Sequence, residues 1–463
     1  MTSLPAKLLV ALVSVILVLG CVPGGSASSI SPTGKSAEPP TAEGSPEPTV
    51  SGSLVIAGRI ITMDEPNIAE AMLIQDGTVA AVGTVDQVRA LAVDDVPVID
   101  IGQNVAYPGF IDAHAHWIGD REYYGIDSPA AAMDAAISRG WTSISEQWVD
   151  KGRLRELDTL AAADALPLRV DAYLALNGLG VGDYYGDWYA DRQPGAADDH
   201  LRVQGLKIHL DSGSGATIYW EADDLVATIG RANAAGWQVS VHAVSTQATE
   251  MVIDAFEAAI GPIGPNPLHH RIEHALQVTD DQLARMVAMD LTTVIQLDGA
   301  GWEWVRWAAS EGEAGRDYER EDVGWLARWR DFVDAGLHVA ATSDAPWFLV
   351  DFTLTKDIGR PVDQIASGMD GRGRVFQETP TWALDQLLTA DQGLRAVTVD
   401  AAHALGDETR RGHLAAGTLG DVTILSGDVT SATPDEIRAM TIVATIVNGI
   451  VVYCSAAEVC GAD

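Results

Sequence analysis

Lysine is nearly missing from this chain. Of 463 residues only five are Lys, at positions 7, 35, 151, 207 and 356, and Lys and Arg together number 29 against 65 Asp and Glu. The formal charge of −36 repels nucleic acid and anionic membrane surfaces, so phosphate-backbone binding is not the expected function. Cysteine is as scarce, with only Cys21, Cys454 and Cys460, and neither their spacing nor their neighbours suggest a cysteine metal site. The balance of 47% apolar and 20% charged residues argues against disorder, collagen-like repeats and a simple coiled coil.

Long apolar runs are also lacking. The best, LLVALVSVILVL over residues 8–19, is too short to span a bilayer comfortably and matches the hydrophobic region of a secretory signal. Lys7 precedes it, and Val18-Leu19-Gly20-Cys21 follows, resembling a bacterial lipobox in which the cysteine is lipidated. The expectation is a lipoprotein-type signal over 1–21, with plain secretion as the alternative, and membrane contact only through a lipid at Cys21. Residues 22–51 are rich in Pro, Gly, Ser and Glu and read as a disordered tether. Cys454 and Cys460, with five residues between them, are then expected to form a small terminal disulfide, two free thiols being the alternative.

What is present in quantity is strand-like sequence. Residues 52–104 carry β-branched runs punctuated by Gly and Asp, and the same texture returns over 411–455. Together they predict one small β-sandwich built from both ends of the folded chain. Between them, over 105–410, eight apolar runs alternate with Ala-rich amphipathic stretches: 106–116, 141–148, 168–176, 204–211, 237–244, 270–278, 291–297 and 337–345. Eight βα units over this length predict a (β/α)8 TIM barrel, whose active site lies at the C-terminal ends of its strands.

Polar residues fall where that geometry converges. The first run ends in His114-Ala115-His116, the fourth carries Lys207, the fifth and sixth end at His242 and His274, and the eighth at Asp344. Two His separated by one residue share a side of an extended backbone and can reach one metal. His242 and His274 can serve a second ion, and Asp344 can accept a proton from a metal-activated water.

PGFIDAHAH resembles the opening motif of the amidohydrolase superfamily, and KIHLDSG, VHAVS, RIEHALQ and TSDAP follow in the order of the branch that includes N-substituted formamide deformylase. AVTVDAAHALG, GHLAAGTLGDVTIL and IVNGIVVY resemble that family's tail, so the resemblance covers nearly all of residues 52–453. It implies a metal-dependent hydrolase of C–N bonds in amides, N-acyl compounds or cyclic amides. His114 and His116 would hold the more buried ion, His242 and His274 the more exposed one, and a carboxylated Lys207 would bridge them. Asp344 would bind the first metal weakly and act as general base toward the bridging water, giving the metal-bound hydroxide that attacks, then as acid toward the leaving amine. A mononuclear site of His114, His116, His242 and Asp344 with unmodified Lys207 is the alternative. Zinc suits the His-rich set, with nickel, iron and manganese open. The same site could serve an esterase or lactonase, and an inactive surface-tethered binding protein is the reading from another class.

Four further residues are expected near a small-molecule pocket: His209, two positions from Lys207; Asp211 on the following loop; Trp302 after the seventh strand; and Tyr185, grouped with Tyr184, Trp188 and Tyr189 in a possible lid. Glu146 reads as a solvated or ion-paired strand end. His200, His269, His338, His403 and His413 show no partner pattern and read as structural or surface residues.

Overall fold

The computed structural model describes residues 52–93, 95–178, 184–196, 200–213, 215–297, 325–347, 359–372 and 381–460. The expected signal, the tether and Trp302 lie outside them.

Near the start of the described chain, four strands alternate apolar residues: β1 (Leu54–Ile61), β2 (Ile68–Gln75), β3 (Thr78–Gly83) and β4 (Val98–Pro108). The barrel strands follow: β5 (Phe110–Ala115), β6 (Trp141–Val149), β7 (Arg169–Ala175), a two-residue β8 (Gly195–Ala196), β9 (Leu201–His209), β10 (Gln238–Ala243), β11 (Arg271–His274), β12 (Thr292–Ile295) and β13 (His338–Ala341). After them come β14 (Val422–Leu425), β15 (Ile442–Val447) and β16 (Ile450–Cys454).

Strands from both ends of the chain join in one seven-stranded sheet, in the order β16-β15-β14-β4-β1-β2-β3. All its pairs are antiparallel except β1 with β4. Side-chain alternation gives it apolar residues on both faces, Leu54 and Ile56 in one cluster and Val55 in another. Its hairpins turn at Asp76-Gly77 and Asn448-Gly449, where both residues of each pair have positive φ, the conformation that two-residue primed turns require. Cys454, ending β16, is bonded to Cys460, with Cα atoms 6.4 Å apart.

Eight parallel strands form the second sheet, in the order β13-β12-β11-β10-β9-β7-β6-β5, with β8 antiparallel beside β9. Each of the eight predicted runs overlaps one of these strands, with β6 extending one residue past its run and β9 starting three residues before its own. The first run is shared: its Tyr107-Pro108 finishes β4, and Gly109 separates this from β5. A Cβ on Gly109 would lie 2.2 Å from Thr142 Oγ1, so the joint between sheet and barrel admits no side chain. Closure between the last and first strands is made at the C-terminal mouth. There the His116 N–H donates to Ala345 O at 2.7 Å and the Asp344 N–H to His114 O at 3.2 Å.

The predicted helical stretches carry the caps their sequences encode. Ser128 accepts from the Ala131 N–H at the start of helix Pro129–Ser138, and Thr279 with Gln282 closes a reciprocal capping box on helix Asp280–Ala288. Below the barrel, buried ion pairs tie its strands to the chain that leads into the seven-stranded sheet. Arg169 Nε lies 2.6 Å from Asp421, and Arg411 lies 2.9 Å from Asp171 and 2.6 Å from Asp407.

Candidate metal centre

Strand periodicity aims alternate side chains of β9, β10 and β11 into the barrel, and their C-terminal residues meet those of β5 at the mouth. The imidazoles form a continuous arc. Ring centroids are separated by 5.3 Å for His116–His114, 5.1 Å for His114–His274, 4.5 Å for His274–His242 and 4.3 Å for His242–His209. Asp344 faces the arc, with Oδ1 3.6 Å from His114 Nε2 and 3.5 Å from His116 Nε2. One donor atom each from His114, His274 and Asp344 lies within 4.8 Å of the others. His274 and Asp344 both adopt left-handed backbone, φ 73° and 48°, a costly conformation that tends to collect at functional sites.

Groups behind the arc orient it. Glu273 places Oε2 2.6 Å from His114 Nδ1, while its Oε1 accepts from Ser240 Oγ at 2.7 Å and pairs with Arg271 Nε at 2.7 Å. Asp120 Oδ2 lies 3.4 Å from His116 Nδ1, and Asp211 Oδ1 lies 3.5 Å from His242 Nε2. The Gln296 amide nitrogen reaches both His274 Nδ1, at 2.8 Å, and Asp344 Oδ2, at 2.9 Å. Carboxylate-backed imidazoles of this kind are how metal-binding histidines have their ring orientation and basicity set. Sequence reading missed Glu273, Asp120 and Gln296. The available signal was in β11, where Arg271 and Glu273 stand two apart on one strand and must share a side.

Burial dominates the electrostatics. It pulls the His116 imidazolium down to about 4 and those of His274 and His209 to about 3, and it holds His114 and His242 well below the usual range, so the rings are neutral, as ligands must be. Burial likewise pushes the Asp344 carboxyl well above the ordinary carboxylate range and lowers the Lys207 ammonium. Lys207 Nζ, His116 Nδ1 and His242 Nε2 are enclosed without a hydrogen-bond partner among the described residues. An unsatisfied buried polar group costs about 1–3 kcal/mol. Two of these nitrogens face the Asp120 and Asp211 carboxylates, but the enclosed Lys207 amine, together with the imidazole and carboxylate donors around it, fits a divalent cation of nitrogen and oxygen preference.

The structure brings His114, His116, Lys207, His242, His274 and Asp344 together, with His209 beside them and its ring stacked on Tyr219 at 5.5 Å. Asp211 sits behind the site instead of lining the pocket. It is fully buried and accepts from the Val244 N–H, the Ser245 N–H and Ser245 Oγ, while burial raises its carboxyl to about 7. Tyr185 is exposed, with its N–H bonded to Leu176 O. Its neighbours divide: Trp188 donates to Ala175 O at 2.8 Å and Tyr189 packs edge-on against Trp237, so both anchor the loop, while Tyr184 stays exposed. Glu146 is not solvated, and it makes no ion pair within 4.0 Å among the described residues. It is buried, raised to about 8 by that burial, and accepts the N–H groups of Gly119 and Ile118, fixing the turn after β5. Trp347 donates its indole N–H to Asp120 at 2.9 Å, and its ring lies 6.4 Å from that of His116 and 5.8 Å from that of Tyr123.

The amidohydrolase family model matches residues 122–453, more than two thirds of the chain. The chain belongs to this family of metal-dependent hydrolases. It is 22% identical to N-substituted formamide deformylase of Arthrobacter pascens, over 86% of this chain and 98% of that protein. It is 28% identical to a putative amidohydrolase of Bacillus subtilis, over 55% of this chain and 42% of that protein's length. Among solved structures, a metal-dependent hydrolase of Pyrococcus horikoshii shares the fold with a TM-score of 0.66 and 16% identity, covering 83% of this chain and 99% of that one. An atrazine chlorohydrolase of Arthrobacter aurescens, solved with zinc, has a TM-score of 0.59 and 15% identity, covering 86% and 94%.

Proposed function

We propose that this chain hydrolyses the C–N bond of an amide, N-acyl or cyclic amide compound, with zinc held by His114, His116, His242, His274 and Asp344. The observation that carries this reading is Asp344 Oδ1, held about equally far from two imidazole nitrogens across the mouth from an enclosed Lys207 amine that has no hydrogen-bond partner among the described residues. When bound, the metal supplies a lowered pKa for water and polarisation of the scissile carbonyl.

The chain's own groups supply the rest. Gln296 holds Asp344 Oδ2, leaving Oδ1 to take a proton from the attacking water and return it to the leaving amine. Burial favours the neutral amine of Lys207, the form that adds carbon dioxide and loses a proton to become a carbamate, an anionic ligand able to bridge two ions. Trp347 and Tyr123 near His116, and Tyr219 against His209, supply aromatic surface for a planar or apolar non-reacting half of the substrate. The same reading places the protein outside the cytoplasm on a lipid at Cys21, and the Cys454–Cys460 disulfide supports an oxidising location.

The test is a screen of the metal-loaded chain against formamides, N-acyl amino acids, hydantoins and lactones. Turnover of a C–N substrate, reduced about 10²- to 10⁴-fold in Asp344→Asn, is expected. Hydrolysis of lactones alone would favour the esterase reading. No turnover at all, with ligand binding unchanged in Asp344→Asn, would make the protein a binder.

A further inference from the structure

Five of the eleven histidines stand in the arc at the mouth of the barrel. Three others, His269, His338 and His403, gather at the opposite end. His269 lies just before β11, His338 opens β13, and His403 lies in helix Val399–Ala404, so all three stand at the N-terminal ends of the strands. The His338 and His403 rings stack with centroids 3.6 Å apart, and the His269 and His403 centroids are 4.5 Å apart. One carboxylate oxygen, Glu408 Oε1, lies 3.8 Å from both His269 Nε2 and His403 Nδ1. The three donor atoms fall within 4.8 Å of one another.

We propose that His269, His403 and Glu408 form a separate binding site for a divalent transition metal ion of imidazole preference, such as zinc or nickel. With metal–ligand bonds of about 2.0–2.2 Å, neighbouring tetrahedral ligands stand roughly 3.3–3.6 Å apart. The two 3.8 Å separations to Glu408 need to close by a few tenths of an ångström, and the separation between the two imidazole donors, within 4.8 Å, by up to about 1.5 Å. Water, or His338 after a ring rotation, completes the coordination. The site is distinct from the catalytic centre and independent of the function proposed above.

The scaffold holds these ligands in advance of any ion. The Gln238 side-chain amide donates both to His269 O and, at 2.8 Å, to Ala404 O, joining the two ligand-bearing segments directly. Arg202 and Gln204 both donate to Leu405 O, at 3.0 and 2.7 Å. His269 adopts left-handed backbone, φ 54°, a conformation seldom kept by a non-glycine residue without local reason. Gly406, φ 60°, passes so close that a Cβ there would lie 3.1 Å from His269 Cδ2. Asp400 Oδ1 lies 3.2 Å from His338 Nδ1, adding negative charge beside the cluster. A cavity of about 200 Å³ lined by His338, Asp400, Arg395 and Gln392 opens beside His338. Packing alone gives no account of three imidazoles and a carboxylate drawn from separate elements onto one point. A bound ion would tie the last helix of the barrel to the base of β11.

Equilibrium dialysis of the full chain against Ni(II), after its catalytic centre has been loaded with zinc, tests this. The expected result is one further equivalent of nickel per chain, weakened at least ten-fold in both His403→Gln and Glu408→Gln while turnover is retained. Glu408 is partly exposed, so its variant leaves the core intact should His403→Gln fold poorly. The equivalent should also persist in Lys207→Ala, which separates this site from the catalytic one. No nickel beyond the catalytic complement, or equal nickel binding in the wild type and both variants, would overturn the proposal.

Discussion

Glu273 Oε2 lies 2.6 Å from His114 Nδ1, which directs the other imidazole nitrogen, Nε2, toward Asp344. The carboxylate that does this is itself held by Arg271 and Ser240. Glu273→Gln should therefore weaken metal affinity about 10- to 100-fold, measured by competition with a chelator, because the ring loses the anionic acceptor that sets its tautomer. Unchanged affinity in a folded variant would mean that His114 does not depend on this pair for its orientation.

Lys207 is buried among neutral imidazoles, where a permanent ammonium would repel an adjacent cation. Metal analysis should find about two equivalents at the catalytic centre, falling on Lys207→Ala and recovering in part with added short-chain carboxylates that replace the carbamate. One equivalent in both forms would establish the mononuclear arrangement instead.

Trp347 is partly exposed above His116 and tethered through its indole N–H to Asp120. Replacement by Ala removes both an aromatic contact surface and a donor to the carboxylate beside His116. Steady-state kinetics should show KM rising about ten-fold for substrates with aromatic groups and less for small aliphatic ones. An equal rise for both classes would place the effect on the metal ligand.

Acid should destabilise the fold through its lower ion pairs. Burial alone would raise the Asp171 carboxyl, but the Arg202 and Arg411 guanidinium groups outweigh it and hold the carboxyl well below the usual range; Arg169 does the same for Asp421. Both groups have folded pKa values below their unfolded values of about 3.9, so their stabilisation is full above that pH and is lost as pH falls further. Thermal melts should show Tm dropping below about pH 4. Arg411→Met should cost about 3–5 kcal/mol at neutral pH by leaving buried carboxylates underpaired, and the gap from wild type should narrow toward pH 2.

The barrel was legible in sequence because strand-like stretches alternate with helical ones, and the candidate ligands stand near the C-terminal ends of those stretches, although polar residues such as Arg169, Gln238 and Arg271 open strands as well. His114, His116, Lys207, His242, His274 and Asp344 could be picked out for that reason and for their likeness to family motifs. Their partners were not legible. Glu273 supports a histidine from a strand 159 residues away, and no local pattern encodes that distance. Trp188 and Tyr189 looked like Tyr184 and Tyr185 in sequence, yet one finds a buried carbonyl and the other a tryptophan edge. His269, His338 and His403 are far apart in sequence and lie on three different elements, so only the closed barrel shows them as neighbours.

The backbone bonds from Asp344 to His114 and from His116 to Ala345 join the first barrel strand to the segment after the last. A nascent chain that has not yet reached residue 345 can pair β5 through β11 and tie His114 to Glu273, but it cannot set Asp344 against the histidines. Completion of the ring is therefore what adds the proposed proton acceptor, and a fragment truncated before β13 should lack turnover, however well its earlier strands fold and whatever ion its histidines hold.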